Sequence, residues 1–208
     1  MPGRDKGKYE KIYQKNGVMT KGGGYEGRYG EDEELDRKWD RYGCAYEGKK
    51  LVGKVVKLKP KSLVDIGAGY NQFVKAMRKR LSPGSCDSYR IVGVDIACPG
   101  SDIIAPAHEL PFEDATFDLI TSFDCMEHIP EEEVPLAIEE FCRVGERIYL
   151  QICLAPSKTL IDGEPVHVCV KPKEWWLEKI EKYFPNAKIK QHVNKNTPWE
   201  HIVVYATK

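Results

Sequence analysis

Two aspartates, each set at the end of a short apolar run, are the residues of this sequence best placed to do chemistry. Asp65 interrupts Leu63-Val64-Asp65-Ile66, and Asp95 closes Ile91-Val92-Gly93-Val94-Asp95. A carboxylate at a strand end can face an ammonium group or accept both hydroxyls of a ribose. The turn Gly67-Ala68-Gly69 follows Asp65 directly. Its glycines allow close approach and positive φ, and the helix expected to open near Asn71 offers unpaired N–H groups to an anionic group. A second set of residues carries protons. Asp124, Glu127 and His128 follow the apolar run 117–123, and His167 sits in the long segment 155–172. His167 is the first candidate for a general base, with Asp124 beside it in that role. The alternative for His167 is a ring bonded to loop backbone; Glu127 and His128 are expected to cap the next turn and helix.

Placing these residues requires strands that end on them. The spacing predicts strands at 62–66, 91–96, 102–105, 117–123 and 146–154, and a closing antiparallel pair at 187–193 and 201–207. Helices are expected over 31–57 (broken at Gly43 and Gly48), 71–81, 130–143 and 173–184, with Pro135 tolerable only in a first turn. Alternating strands and helices imply an α/β fold, a doubly wound, mostly parallel sheet with helices on both faces. Ligands of such sheets sit at the carboxyl ends of the strands. There Asp65, Asp95, Ala107, His108, Phe123 and Asp124 all fall. Residues 48–54 match the opening of a phosphate-binding loop, but Val55 stands where a hydroxyl residue is needed and no strand precedes it.

Composition narrows the class. The chain has 208 residues, 41% apolar and 31% charged, which suits one soluble domain with a real core. Lys+Arg and Asp+Glu both number 32, so the basic footprint of a nucleic-acid binder is missing. The seven cysteines are scattered and form no CxxC pair. They read as reduced, buried thiols of a cytoplasmic protein, and without clustered ligands no metal site is expected. No apolar stretch is long enough to span a membrane. Residues 1–34 are polar, glycine-rich and interleaved with Tyr9, Tyr13, Tyr25 and Tyr29, which suggests a lid or a flexible tail ahead of one domain at 35–208.

The ligand follows from the pair of carboxylates. Gln72 stands where a dinucleotide fingerprint needs its third glycine. A ligand that joins a ribose to an amino acid is S-adenosylmethionine, and the surrounding segments resemble the class I S-adenosylmethionine-dependent methyltransferases of the "type 11" kind. Val64-Asp-Ile-Gly-Ala-Gly is similar to the first motif of that family, and Val92-Gly-Val-Asp-Ile to its ribose-binding strand end. His108-Glu-Leu-Pro-Phe-Glu-Asp-Ala-Thr-Phe-Asp-Leu-Ile resembles the adenine-side loop and fourth strand, Ser122-Phe-Asp-Cys-Met-Glu-His-Ile the segment after it, and Glu140-Phe-Cys-Arg-Val the next helix. The resemblance implies a seven-stranded sheet of order 3-2-1-4-5-7-6 with its last strand antiparallel. It also implies contacts from Asp65, Gly67, Ala68 and Gly69 to the methionine part and from Asp95 and Ile96 to the ribose. Ala107 and His108 would lie near the adenine, and Phe123 near the sulfonium.

Two positions depart from that pattern. Asn71 stands where the family usually has a glycine, and Pro106 where it often has an acidic residue, so backbone groups or His108 would serve the adenine amino group. The loop after strand four lacks the Asn/Asp-Pro-Pro-Tyr/Phe and Pro-Cys sequences of the DNA-modifying members. A ribose 2′-O-methyltransferase set would have to be assembled from Lys54, Asp124, Lys158 and Glu200. A small-molecule acceptor at O or N is the leading reading. The others are an S-adenosylmethionine-binding regulatory module without transfer and a polyamine synthase with Asp124 and Glu127 as acceptor carboxylates.

Overall fold

The structure is a computed structural model that describes residues 7, 10, 49–82, 89–158, 160, 161, 163–193 and 200–208. The expected tyrosine-rich extension at 1–34, the helix leading to residue 48, and the loops around 83–88 and 194–199 fall almost wholly outside the described residues.

Helix α1 (Lys49–Val56) is the first element described and buries Leu51, Val52 and Val55. The phosphate-loop look-alike at 48–54 thus runs into a helix that no described strand feeds. Strand β1 (Ser62–Ile66) then leads through the glycine turn into helix α2 (Gln72–Leu81). Next come β2 (Arg90–Asp95), the two-residue β3 (Ile103–Ile104), β4 (Leu119–Phe123), a short 3-10 helix (Met126–His128), helix α3 (Val134–Val144) and β5 (Arg147–Cys153). A small hairpin, β6 (Leu160–Ile161) with β7 (Glu164–Pro165), precedes helix α4 (Lys173–Glu181) and the closing strands β8 (Lys188–Val193) and β9 (Glu200–Thr207).

Seven strands form one sheet in the order β3-β2-β1-β4-β5-β9-β8, and the hairpin pairs only with itself. Counted without the hairpin, that is 3-2-1-4-5-7-6. The pairs β1–β2, β1–β4, β2–β3 and β4–β5 are parallel, while β9 is antiparallel to both β5 and β8. The expected α/β class, strand order and direction of the last strand are all present.

The strands read as near-continuous apolar runs because both faces of the sheet are covered. Leu63, Leu119 and Tyr149 point to the face held by α1 and α2, together with Phe73, Val74 and Met77. Val64, Ile120, Ile148 and Leu150 point to the other, with Ala137, Ile138, Phe141, Trp176 and Ile180 from α3 and α4. Alternate residues along one strand therefore belong to different cores.

Some boundaries move, for local reasons. Strand four begins at Leu119 rather than 117. The carboxylate of Asp118 turns aside to accept the N–H groups of Lys61 and Ser62 at 2.6 and 3.3 Å. Helix α3 begins at Val134, later than expected, because residues 130–133 close a turn in which Glu133 and Val134 N–H donate to the Pro130 carbonyl. Pro135 is then in the first turn, where its missing N–H costs nothing. Segment 155–172 is not irregular throughout, since it carries the hairpin β6–β7.

Candidate functional site

Strand β1 lies between β2 and β4, so the chain crosses to opposite sides of the sheet at its carboxyl end and leaves a crevice there. Asp65 stands at this point, 2% exposed, in register with Gly93 on one side and Thr121 on the other. Thr121 Oγ1 donates to Asp65 Oδ1 at 2.7 Å. Burial pushes the carboxyl up to about 7; the Thr121 hydroxyl opposes the shift and the charge of Asp95 adds to it. The arrangement is a buried carboxylate held among neutral or like-charged neighbours, which favours a cationic ligand group.

The turn after Asp65 depends on left-handed backbone. Gly67 has φ 78°, Gly69 φ 51° and Asn71 φ 63°. A Cβ at position 67 would overlap the Cys125 side chain. The N–H groups of Gly67 and Ala68 donate to the Val94 carbonyl at 2.8 and 3.0 Å, and Asn71 N–H donates to Ala68 O. Gly69 N–H donates to Asp95 Oδ2 at 3.0 Å. These four are engaged within the protein, and the first helical bond of α2 runs from Lys75 N–H to Asn71 O. The turn contributes shape, a close backbone surface, and the Ala68 methyl is buried in the core.

Asp95 has a structural role as well. Its Oδ1 accepts Ala97 N–H at 3.0 Å and Cys98 N–H at 2.8 Å, besides the Gly69 bond to Oδ2. Both readings of this residue are therefore compatible: it caps local N–H groups, and each carboxylate oxygen can accept more than one hydrogen bond. Ile96 follows it, half-buried. Asn71 takes the place of the family glycine through its tolerance of αL backbone. Its buried Oδ1 has no hydrogen-bond partner and fills the space that a Cβ on Gly93 would need.

In the loop after β3, Pro106, Ala107 and His108 are half-buried. His108 Nδ1 lies 3.4 Å from Glu133 Oε2, and its side chain is 9% exposed. Its Nε2 is buried with no partner. With Nδ1–H facing that carboxylate, the neutral ring keeps its lone pair on the buried Nε2. Phe123 is taken up by the core, edge-on to Phe73 at 4.9 Å and to Tyr149 at 6.1 Å.

The proton-carrying residues collect at the carboxyl ends of β4 and β5. Asp124 has φ 48°, a strained value for an aspartate. Its Oδ1 accepts Gln151 Nε2 at 3.1 Å and lies 3.4 Å from His201 Nε2. His167 Nδ1 lies 2.7 Å from the Ala155 carbonyl, so the nitrogen must donate and the neutral ring carries its lone pair on Nε2. Burial lowers its pKa, against upward pulls from that carbonyl and from Asp124. The loop-bonded reading of His167 and the general-base reading hold together, because the bond fixes the tautomer a base requires.

Glu127 and His128 are not the expected caps. Glu127 is fully buried, and its Oε1 accepts Cys153 N–H at 3.2 Å across to β5. Burial first, then the Asp124 charge, drives its pKa well above the ordinary carboxylate value. His128 Nδ1 donates to Val166 O at 2.8 Å. The partners of both, along with Gln151 and His201, are distant in the chain and carry no local signal.

This geometry agrees with what the chain matches. A family model described as a methyltransferase domain matches residues 36–195. The chain belongs to the class I S-adenosylmethionine-dependent methyltransferase family. Among solved structures, the PH0226 protein from Pyrococcus horikoshii OT3 is similar over 86% of this chain and 93% of its own, with 18% identity and a TM-score of 0.57. The 1,6-didemethyltoxoflavin-N1-methyltransferase of Burkholderia thailandensis, solved with its substrate and S-adenosylhomocysteine, covers 84% of this chain and 85% of its own at 13% identity and TM-score 0.56. The [4+2]-cyclase SpnF covers 82% and 86% at 14% identity, TM-score 0.56. At these identities the likeness is one of fold. Among the described residues, no helix of this methyltransferase is long and apolar enough to cross a membrane.

Proposed function

We propose that this methyltransferase transfers a methyl group from S-adenosylmethionine to an oxygen or nitrogen of a small molecule. The observation that carries the reading is the buried Asp65 carboxylate beside the left-handed turn, with a hydroxyl and a second carboxylate as neighbours. The α-ammonium of the cofactor is the charge that this site lacks. In this reading Asp65, Gly67, Ala68 and Gly69 form the methionine end. Asp95 and Ile96 take the ribose, and Ala107 and His108 Nε2 the adenine. Phe123 backs the site from the core rather than touching the sulfonium.

When bound, the cofactor supplies a methyl group already activated by its sulfonium. The protein supplies orientation and, for an acceptor that must lose a proton, a base. His167 is the base in this proposal: its Nδ1 is tied to Ala155 O, and burial keeps the ring neutral. Asp124, braced by Gln151, stands near enough to favour the imidazolium that proton uptake creates. Residues 1–34 are proposed as the lid over the acceptor, and 35–208 as the catalytic domain. Zero net charge favours a small molecule over nucleic acid. The described thiols Cys142, Cys153 and Cys169 fit a cytoplasmic setting.

Support for a small acceptor also comes from the toxoflavin-precursor N-methyltransferase, which shares the fold over most of both chains. The test is labelled-methyl transfer across fractionated metabolite, RNA and protein pools. Label in the metabolite fraction is expected. Label confined to RNA or protein contradicts the acceptor, and cofactor binding with no transfer to any pool leaves a binding module instead.

A further inference from the structure

The fold brings together three ligating side chains that the sequence keeps apart. Glu127 and His128 are adjacent on the 3-10 helix after β4, and His167 comes from the stretch after the β6–β7 hairpin. One potential ligand atom from each lies within 4.8 Å of the other two. The expectation of no metal site rested on spacing along the chain, and the fold supersedes spacing here.

We propose that Glu127, His128 and His167 bind one divalent transition-metal ion of the zinc class. The inference goes beyond methyl transfer and does not depend on it; with an ion bound, His167 Nε2 is a ligand rather than a base, and Asp124 takes the base role.

Three observations carry it. First, Glu127 Oε2 is buried without a hydrogen-bond partner, while Oε1 is held by Cys153 N–H. A buried carboxylate oxygen left in this state is costly, and a cation would satisfy it. Second, both histidines are set in the tautomer that ligation requires. His128 Nδ1 lies 2.8 Å from Val166 O and His167 Nδ1 2.7 Å from Ala155 O. A carbonyl can only accept, so each neutral ring carries its lone pair on Nε2. A backbone carbonyl on the far nitrogen is the usual support of a metal-bound histidine. Third, the two pieces of backbone are fastened to each other. Val168 and Cys169 N–H both donate to the Glu127 carbonyl at 3.0 Å, and the two imidazoles meet edge to face with centroids 4.8 Å apart.

Two imidazoles and one carboxylate make a donor set for a zinc-class ion rather than for magnesium or calcium, which favour oxygen cages. Three protein ligands leave a position for water or an oxygen-bearing ligand. Ligand atoms around an ion with bonds of ~2.0 Å sit roughly 3.3 Å apart, so binding draws together ligand atoms that now lie within 4.8 Å of one another.

The experiment uses the full chain, stripped of metal by chelation and kept reduced, and titrates it with Zn2+ by calorimetry and with Co2+ by absorption. Mg2+ serves as the control. The expected result is one equivalent of Zn2+, a Co2+ spectrum without thiolate charge-transfer bands, and at least a tenfold loss of affinity in both His128→Ala and His167→Ala. Circular dichroism establishes that each variant is folded. The inference is overturned by the absence of saturable binding, by thiolate bands that assign the ion to cysteines, or by unchanged affinity in the folded histidine variants. S-adenosylhomocysteine binding, measured on the same chelated protein, reports on the methyltransferase reading separately.

Discussion

At the scale of single residues, the two strand-end aspartates behave differently although the sequence presents them alike. Asp65 is buried with no compensating cation, and its pKa rises from 3.8 to about 7. In that window the folded chain holds a proton that the unfolded chain releases. Stability contributed below the window is therefore lost as pH rises through it, by on the order of 1.4 kcal/mol per pH unit. Asp65→Asn removes the slope, which denaturant midpoints measured between pH 4 and 7.5 would show. An unchanged slope would mean that another group carries it. A ligand ammonium calls for the ionised form, so the affinity for S-adenosylhomocysteine should climb as pH passes about 7 in the wild type and stay flat in Asp65→Asn. Asp95, by contrast, is already braced by three backbone N–H groups. Truncation to alanine would unfasten the turn as well as remove the proposed ribose contact, so Asp95→Asn is the better probe, since it retains an acceptor at Oδ1.

At the scale of elements, the site is held by contacts between segments. Asn71 at the start of α2 occupies the space above Gly93 of β2. Gly93→Ala forces overlap with that amide and is expected to destabilise by about 1–3 kcal/mol. Adding Asn71→Gly should recover part of the loss, because the Ala68 methyl would still lie 2.9 Å from the new Cβ; a double-mutant cycle in urea measures the coupling, and additive effects would show that Asn71 and position 93 do not share this space. Arg143 of α3 fastens the loop at 110–114, donating to Leu110 O, Phe112 O and Asp114 Oδ1 at 3.1, 2.7 and 2.8 Å. Its partner Glu140 accepts Leu110 N–H at 2.8 Å. Arg143→Met should lower cofactor affinity several-fold and speed hydrogen exchange at Leu110, with β4 and β5 amides unaffected. Exchange that accelerates throughout the sheet would assign Arg143 a global role instead. The elements that were legible in the sequence are those with a local signal: apolar runs ending on aspartate, and the 3.6-residue periods of α2 and α3. The hairpin β6–β7 was not, because Glu164-Pro165 carries none of the β-branched or aromatic residues that mark a strand, unlike Ile103-Ile104. Nor was the burial of Glu127, whose partner Cys153 lies 26 residues away. His128 and His167 likewise meet only once β4 and the post-hairpin segment are folded together.

At the scale of the whole molecule, the crevice at the carboxyl end of β1 is the proposed site for S-adenosylmethionine. The sheet order, the left-handed turn and the two aspartates each support it, and the family match over residues 36–195 agrees. Asn71 and Pro106 do not break the pattern: the first adopts the glycine conformation, and His108 Nε2 lies buried and unpartnered where Pro106 leaves no side-chain acceptor. The most direct test is calorimetric titration of the full chain with S-adenosylhomocysteine, which cannot react further as a methyl donor, beside folded Asp95→Asn. One equivalent bound by the wild type and at least a tenfold loss of affinity in the variant are expected. No binding by the folded wild type, or equal binding by both, would contradict the proposed site.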